Sequence, residues 1–283
     1  MTLRLGILYD RAKWEEKALK REAERRGVEV RMLNVLNTVM DVSDGSCFTE
    51  DVYVQRALSF FKGLYSTAIL EHHGRRVINS YKTSATCGNK LLTTLALMES
   101  GVPTPRTLVA FSEESALRAV EEVGYPAILK PIHGSWGRLV AFLKDPSSAK
   151  AVIESRMFLH PIHRVFYIQE YVERPPRDIR SFVVGDRVVA AIYRIAPERE
   201  WRTNVMRGGS IEVCPITEEL RELSLKAAEA VGGGVLGVDI MEGNDGLTVH
   251  EVNHVPGFAH TAMATGVNIP GLIVEYAVEL AKR

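Results

Sequence analysis

The sequence lacks several features that would assign it directly to a common functional class. Its three cysteines are scattered and form no C-x-x-C pair, which argues against a disulfide framework or a zinc–cysteine site and favours buried thiols in a reducing cytosol. The 35 basic and 35 acidic residues cancel, so no broad electrostatic field would recruit nucleic acid or an anionic membrane. No apolar run approaches the ~20 residues that cross a bilayer. Any anion-binding site in this chain must therefore be local.

The remaining composition is that of an ordinary globular protein. Hydrophobic residues make up 46% and charged residues 25% of the 283 residues, a length that suits two or three subdomains around a substantial core. The apolar run in residues 1–9 is too short for a signal peptide and predicts a first strand. We therefore expect a cytoplasmic protein without nucleic-acid or membrane partners.

Residues 250–254 read HEVNH and match the H-E-x-x-H motif of zinc proteases. A zinc site requires a helix here, because only a helix places histidines four residues apart on one face. The flanking residues predict a strand instead, since residues 247–253 are β-rich, follow the turn-like run 243–246 and stop before a Pro-Gly pair. Histidines four residues apart on a strand are separated by about 13 Å. The two histidines therefore cannot share one zinc ion.

The strand interpretation brings other side chains together. Glu251 and Asn253 project from one face, and a three-residue loop at 244–246 would join this strand to the apolar run 235–241 as a hairpin. Asp239 then lies opposite Glu251, where two carboxylates should repel each other. A divalent cation such as Mg²⁺ would remove the repulsion, and Asp, Glu and Asn oxygens are its preferred protein ligands. Solvation, or pairing of the two carboxylates with Lys and Arg, is the alternative.

Hydrophobic periodicity and turn signals predict an α+β chain in three parts. We place an N-terminal α/β domain at 1–88, a central lid domain at 89–175 and a C-terminal domain with the metal site at 176–283. The predicted strands are 3–9, 28–33, 76–79, one that begins at 107, 126–131, 139–143, 165–172, 179–184, 188–193 and the hairpin. The predicted helices are 12–26, 57–72, 90–100 with Asn89 as its cap, 112–123, 146–155, 218–231 and 269–282.

One of two glycine-containing segments is a candidate for phosphate binding. Residues 232–237 match G-x-G-x-x-G, but we discard this match because they follow a helix and precede a strand, the reverse of the dinucleotide fingerprint. The loop 134–137 lies between two strands, with Lys130 before it and Arg138 after it. Such a loop can fold over a triphosphate and offer backbone N–H groups. A plain hairpin whose glycines serve the turn is the alternative.

Further polar residues follow in the next segments. Residues 169–172 end a strand where free backbone groups could read an adenine edge, and Asp178 and Arg180 share a strand face suited to a ribose hydroxyl and to a phosphate or carboxylate. A polar cluster with few carboxylates nearby is suited to an acyl phosphate; it comprises Arg194, Asn204, Arg207, Gly208 and Gly209. Surface ion pairs and a solvated loop are the alternatives.

These segments, in this order, resemble the ATP-grasp superfamily. The resemblance covers almost the whole chain and rests on Lys90 and on residues 128–131, 134–138, 169–172, 178–180, 203–209, 237–239 and 251–253. The combination is similar to the branch that contains the ribosomal-protein glutamate ligase, and within it to the amino-group carrier protein ligases (LysX and ArgX type) of lysine and arginine biosynthesis. The resemblance implies a three-subdomain ATP-grasp fold.

The resemblance also implies roles for residues. Lys90 and Lys130 would bind phosphates, residues 169–172 adenine, and Asp178 the ribose, while two Mg²⁺ ions would be held by Asp239, Glu251 and Asn253. The expected ATP-binding residues are Lys90, Lys130, Gly134, Ser135, Trp136, Gly137, Arg138, Gln169, Glu170, Tyr171, Val172, Asp178, Arg180, Arg194 and Asn204.

The implied reaction is ATP-dependent amide formation. A carboxylate attacks the γ-phosphate to give an acyl phosphate and ADP, and an amine then displaces the phosphate, with Lys130, Arg194 and Asn204 stabilising the transferred group. Closure of the flap at Ser135 and Trp136 would exclude water. By resemblance, the carboxylate is the side chain of the C-terminal glutamate of a small acidic carrier protein, and the amine belongs to 2-aminoadipate or glutamate. Homodimers or homotetramers are typical of such relatives.

The expected substrate residues do not settle the choice of amino acid. They are Arg207, Gly208, Gly209, Gly257, Phe258, His260 and Thr261. After Glu-Val-Asn, the family typically has E-F-K followed by N-[TAS] in aminoadipate enzymes or by G-F in glutamate enzymes, whereas residues 257–261 here read GFAHT. Thr261 favours aminoadipate, or an enzyme that accepts both.

Two other functional hypotheses remain open at this point. A sibling ligase would add glutamate to a ribosomal protein or a pterin cofactor, and a zinc protease would need residues 250–254 in a helix. The remaining histidine pairs are assigned surface or capping roles; they are His72 with His73, and His160 with His163.

Overall fold

The computed structural model describes residues 2–134, 136–198, 200, 203 and 208–283. Three β-sheets organise these residues, and each sheet lies within one of the three predicted parts of the chain. The positions of the two domain boundaries remain predictions. None of the helices in the described residues is long and apolar enough to cross a membrane.

The N-terminal part is built on a four-stranded parallel sheet of order β2-β1-β3-β4. Its strands are β1 (Arg4–Tyr9), β2 (Glu29–Asn34), β3 (Val52–Gln55) and β4 (Val77–Ile78), and its helices are α1 (Trp14–Arg25), α2 (Phe60–His72) and α3 (Tyr81–Cys87). Strand β3 is fully buried, as is usual where helices cover both faces of a parallel sheet.

The central part contains a four-stranded antiparallel sheet of order β5-β8-β6-β7. The elements are α4 (Lys90–Glu99), β5 (Thr107–Ala110), α5 (Glu113–Val123), β6 (Ala127–Lys130), β7 (Ala141–Leu143), α6 (Pro146–Met157), a 3-10 turn (Pro161–Arg164) and β8 (Phe166–Glu170). Asn89 caps α4, as predicted, by accepting hydrogen bonds from the N–H groups of Leu91 and Leu92. Helices α5 and α6 pack on this sheet around a core of its own.

The C-terminal part contains a five-stranded antiparallel sheet of order β11-β10-β9-β12-β13. The elements are β9 (Arg177–Val184), β10 (Arg187–Ile195), β11 (Ser210–Val213), α7 (Glu218–Ala230), β12 (Val235–Gly243), β13 (Gly246–Asn253), α8 (Ala259–Thr265) and α9 (Ile269–Lys282). Helices α4 and α7 cover one face. The other face shares a core with β1, α1 and α9, so the first and last parts of the chain are packed together.

The sequence predictions missed four short elements: β3, α3, β11 and α8. The α+β class and the strand at the HEVNH segment are confirmed, but the predicted three-residue hairpin loop is wrong. Gly243 pairs with Gly246, which leaves a two-residue turn, and a bulge at His250 then shifts the register so that Asp239 still lies opposite Glu251. The two deviations compensate because the shorter turn and the extra residue move the pairing by one position in opposite senses.

Asn79 joins the first part of the chain to the C-terminal sheet. Its buried side chain donates hydrogen bonds to the carbonyl groups of Val235 (2.7 Å) and His254 (2.6 Å) and accepts one from the Val235 N–H (2.6 Å). Gly234 lacks a side chain where a Cβ atom would lie 1.9 Å from Asn79 Oδ1. The amide therefore fixes the start of β12 and the end of the HEVNH segment against the N-terminal sheet.

We predict that Asn79→Ala lowers the free energy of unfolding by about 3 kcal/mol, because it leaves buried backbone groups without partners. The measurement is urea-induced unfolding followed by far-UV circular dichroism. Asn37→Ala is the matched control, since Asn37 is exposed in a turn and should change stability by less than about 0.5 kcal/mol. Equal stability of the two variants would contradict the prediction.

Candidate active site

The bulge at His250 decides which side chains of β13 face the polar centre of the molecule. Val249 and Val252 are both fully buried in the core, although they are three residues apart. An unbroken strand would place them on opposite faces. The bulge makes His250 and Glu251 together oppose Asp239, and both project away from the core. Asn253 lies on the same face as Glu251, as the sequence predicts.

Asp239 is the most strongly neutralised carboxylate of this centre. Arg180 binds it through both Nε and Nη2, and Arg194 Nη2 lies 3.0 Å from its Oδ2 atom. Asn253 Nδ2 donates to the same oxygen at 3.3 Å. Burial acts to raise the pKa of Asp239, but the charges of Arg180 and Arg194 outweigh it and hold the pKa well below its usual range. The carboxylate is therefore ionised.

Arg194 joins Asp239 to a second buried carboxylate. It donates to Asp178 through Nε (2.7 Å) and Nη2 (2.8 Å), and Thr203 Oγ1 also donates to Asp178. Burial acts to lower the pKa of Arg194, but the charges of Asp239 and Asp178 outweigh it and raise the pKa. Asp178 is only 2% exposed, so the ribose role remains a prediction that requires these contacts to rearrange.

Glu251 is held by a lysine at the start of α4. Lys90 Nζ donates to Glu251 Oε1 at 2.9 Å and to the carbonyl of Gly134 at 3.1 Å. Burial acts to raise the pKa of Glu251, but the charge of Lys90 outweighs it and holds the pKa below its ordinary value. Lys90 thereby links the metal-ligand candidate to the glycine loop.

Lys130 enters the centre from β6 in the central sheet. Its Nζ donates to Gln169 Oε1 at 2.5 Å, and Gln169 Nε2 in turn donates to Tyr167 Oη and Thr107 Oγ1, each at 3.0 Å. Burial lowers the pKa of Lys130 to about 8, and the neighbouring charge of Lys90 acts in the same direction. The buried side chain of Gln169 thus orients a lysine whose charge is sensitive to mildly alkaline pH.

The end of β8 supplies the other predicted adenine-binding residues. Glu170 Oε1 accepts a hydrogen bond from the N–H of Arg106 at 2.7 Å, and the ring of Tyr171 meets that of Phe142 edge-on at 5.1 Å. Val172 lies against Gly243 at the end of β12, where an added Cβ atom would be 2.9 Å from it. The segment therefore passes from the central sheet to the C-terminal sheet.

The predicted flap is a turn between β6 and β7. Trp136 is 46% exposed and has a positive φ of 61°, Gly134 and Gly137 also have positive φ values, and the guanidinium of Arg138 lies 5.0 Å from the Trp136 ring centre. Ser135 lies outside the described residues. The indole and the guanidinium form the exposed edge of the loop.

The predicted substrate segment lies at the border with the N-terminal sheet. Phe258 is fully buried beneath Arg56, whose guanidinium is 5.3 Å from the ring centre and donates to the Pro256 carbonyl at 3.0 Å. Glu16 Oε1 accepts from Arg56 Nε at 3.2 Å, which completes a buried ion pair that the sequence predictions missed. The position of Arg56 directly after a buried strand could have indicated this ion pair, but β3 itself was not predicted from the sequence.

The remaining substrate predictions separate into three groups. Gly257 and His260 are exposed, whereas Thr261 is 2% exposed within α8. Gly208 and Gly209 precede β11. Asn204 and Arg207 lie outside the described residues. The structure therefore places the discriminating pair, His260 and Thr261, on one short helix with unequal exposure.

The histidines of HEVNH have different surroundings. His250 Nε2 lies 3.9 Å from Asp178 Oδ2, so this ring faces the polar centre, while His254 packs edge-on against Phe60 at 5.9 Å. Burial lowers the pKa of each ring to about 4. No group of three or more His, Cys, Asp or Glu side chains is positioned to hold a metal within the described part of the chain.

The other histidines have local roles. His72 and His73 pack against each other with ring centres 5.1 Å apart, and His73 also contacts Phe48. His160 caps the 3-10 turn by accepting from the N–H of Ile162.

Comparison with known proteins assigns this site to a family. The profile of the RimK-like ATP-grasp domain matches residues 87–277. The chain belongs to the RimK-like ATP-grasp family. The profile of the LysX preATP-grasp domain matches residues 5–86. The predicted ATP-grasp fold is confirmed.

Similar proteins cover nearly the whole chain. The alpha-aminoadipate–LysW ligase LysX of Saccharolobus solfataricus is 37% identical over 274 residues, which cover 96% of this chain and 99% of the relative. The glutamate–LysW ligase ArgX of Sulfurisphaera tokodaii is 35% identical over 279 residues, covering 98% and 99%. A RimK domain ATP-grasp protein of Sphaerobacter thermophilus, 23% identical, superimposes with a TM-score of 0.84 and covers 97% and 99%. This ATP-grasp chain is an ATP-dependent, ADP-forming ligase that makes C–N bonds.

The low pKa of Lys130 predicts a pH dependence of nucleotide binding. The protonated amine attracts phosphate oxygens, so ADP affinity should fall by about tenfold between pH 7 and 9 as the free lysine titrates near pH 8. Lys130→Arg keeps its charge throughout this range and should flatten the profile. Calorimetric titrations with ADP and Mg²⁺ from pH 6.5 to 9.5 would measure both. The same slope in the two proteins would rule out Lys130 as the titrating group.

Proposed function

We propose that the protein joins the α-amino group of 2-aminoadipate or glutamate to the side-chain carboxylate of the C-terminal glutamate of a small acidic carrier protein, in lysine or arginine biosynthesis. The LysX and ArgX relatives, whose names specify ligation of alpha-aminoadipate or glutamate with LysW, support the proposal over nearly the full length of the chain. ATP would activate the carboxylate as an acyl phosphate, and the amine would displace the phosphate.

One observation carries the proposal. Two ionised carboxylates on adjacent strands, Asp239 and Glu251, lie in one centre with lysines from two other elements, Lys90 from α4 and Lys130 from β6. Acidic and basic groups that converge from several elements are suited to a metal–triphosphate complex, which carries charge of both signs.

The donor set fits magnesium. Asp239, Glu251 and Asn253 offer carboxylate and amide oxygens, the hard donors that Mg²⁺ prefers, and they supply no soft ligand. We propose that these three residues hold two ions. The bound ions would neutralise developing charge on the phosphates.

The arginines of the centre would then have a second role. In the structure described here, Arg180 and Arg194 neutralise Asp239. Once Asp239 has another counterion, each guanidinium group can bind two oxygens of a phosphate or carboxylate. We propose that Arg194, together with Lys130 and Asn204, stabilises the transferred phosphoryl group.

The flap would protect the acyl phosphate. Trp136 is half exposed at the edge of a loop whose Gly134 carbonyl is already tied to Lys90. Closure of this loop over the reacting groups would exclude water, which otherwise hydrolyses an acyl phosphate. Gln169–Val172 and Asp178 would bind the adenosine part.

The proposal predicts that Glu251→Ala decreases ATP-dependent amide formation at least about 100-fold, because it removes a metal ligand and the carboxylate partner of Lys90. The assay measures ADP release and the amide product by mass spectrometry. Glu222→Ala is the control, since Glu222 is exposed on α7. An active Glu251→Ala enzyme with native circular dichroism would refute the metal assignment.

The side chain of Thr261 leads us to expect a preference for 2-aminoadipate over glutamate, or turnover of both. Competing turnover of the two amino acids, with the acidic carrier protein present, would measure the ratio of their kcat/KM values. A strong preference for glutamate would contradict the expectation. Turnover that requires a basic ribosomal-protein tail instead of the acidic carrier would contradict the proposed acceptor.

A further inference from the structure

His250 carries a buried polar atom that has no partner in a centre where the surrounding charged groups are paired. Its Nε2 atom is shielded from solvent and makes no hydrogen bond within the described residues, and the nearest carboxylate oxygen, Asp178 Oδ2, is 3.9 Å away. That distance is too long for a hydrogen bond. Buried polar atoms are nearly always satisfied, so an unpaired one requires an explanation.

The backbone directs this ring into the centre. Strand alternation alone would leave room for only one of His250 and Glu251 on the polar face, because Val249 and Val252 occupy the core face on either side. The bulge admits both side chains opposite Asp239. The resulting position of the ring is fixed by the buried valines.

The surroundings of Nε2 indicate what it can bind. Asp178 Oδ2, the carboxylate oxygen 3.9 Å from Nε2, already accepts hydrogen bonds from Arg194 Nη2 and Thr203 Oγ1, which fill its two lone pairs. Glu251, which faces the same centre, is bonded to Lys90, and no acceptor in the described part of the chain forms a hydrogen bond with Nε2. An oxygen atom of a ligand bound at this centre would therefore be the partner for an Nε2–H group.

We propose that His250 is a nucleotide-binding residue whose Nε2–H donates a hydrogen bond to a ribose or phosphate oxygen of the bound adenine nucleotide. This inference rests on the proposed ATP site. His250 contributes affinity for the nucleotide, whereas Asp239 and Glu251 remain the metal ligands.

The test is calorimetric titration with ADP and Mg²⁺ of the wild-type protein and of His250→Leu and His250→Gln. Leucine removes the donor, and we expect the Kd for ADP to rise about tenfold, the usual effect of losing one hydrogen bond. The glutamine amide places a donor near the position of Nε2, and we expect its Kd to stay within about threefold of the wild type. His254→Gln is the control from the other end of the same motif, and we expect its Kd to be unchanged.

Thermal unfolding separates this role from a purely structural one. Without nucleotide, His250→Leu should be at least as stable as the wild type, because it removes an unpaired buried polar atom. The increase in Tm at saturating ADP should be smaller than in the wild type. A lower Tm without nucleotide, combined with an unchanged increase on adding ADP, would overturn the proposal.

Nucleotide analogues identify the bonded oxygen. A tenfold loss with ADP but not with 2′,3′-dideoxy-ADP supports a ribose contact, and an equal loss with both supports a phosphate contact. An unchanged Kd for ADP in His250→Leu, with the wild type binding normally, overturns the inference and leaves the ATP site intact. Failure of the wild type to bind ADP overturns the proposed nucleotide site and this inference together.

Discussion

The neutralisation of buried carboxylates in the C-terminal sheet is the constraint on which the rest of the site depends. Asp178 and Asp239 are each about 2% exposed, and an isolated ionised carboxylate at that depth would be very costly. Arg194 bridges the two, and Arg180 binds the second from the neighbouring strand. Pairing of this quality offsets desolvation but seldom exceeds it. The presence of these two buried carboxylates is therefore better explained by a role in ligand binding than by a contribution to the stability of the fold.

The packing of the three sheets explains how groups from distant parts of the sequence reach this centre. The N-terminal and C-terminal sheets share one core, and Asn79 fixes the border between them by hydrogen bonds to β12 and to the end of the HEVNH segment. The central sheet has a separate core, yet it delivers Lys130 to the same place. Helix α4 connects the C-terminal sheet to the central part of the chain, because Lys90 at its start bonds both Glu251 and the glycine loop.

The main pairing of the hairpin could be predicted from local patterns, whereas the chemical class was implied by the resemblance of motifs along almost the whole chain to a known family. Turn residues and β-rich runs predict the hairpin, and the facing positions of Asp239 and Glu251 are correct even though the loop length is not. The bulge had a visible signal in the three-residue spacing of Val249 and Val252, since two core valines cannot have that spacing on a regular strand. The ion pairs formed by Arg180 and Arg194 had no local signal, because their partners come from non-adjacent segments.

The balance of charge explains how a chain of zero net charge can bind a polyanion. Four cationic side chains and three carboxylates meet at this centre; they are Lys90, Lys130, Arg180, Arg194, Asp178, Asp239 and Glu251. In this state Lys90, Arg180 and Arg194 are paired with carboxylates and Lys130 is bonded to the amide oxygen of Gln169, so the four cations offer little to a phosphate. A metal ion at Asp239 and Glu251 would replace the guanidinium and ammonium groups as counterion, and those groups would become available to the nucleotide. The affinities for nucleotide and for metal should therefore be coupled through the arginines. A metal ion on Asp239 frees the arginines to bind the nucleotide, and a nucleotide bound to the arginines frees Asp239 to bind the metal.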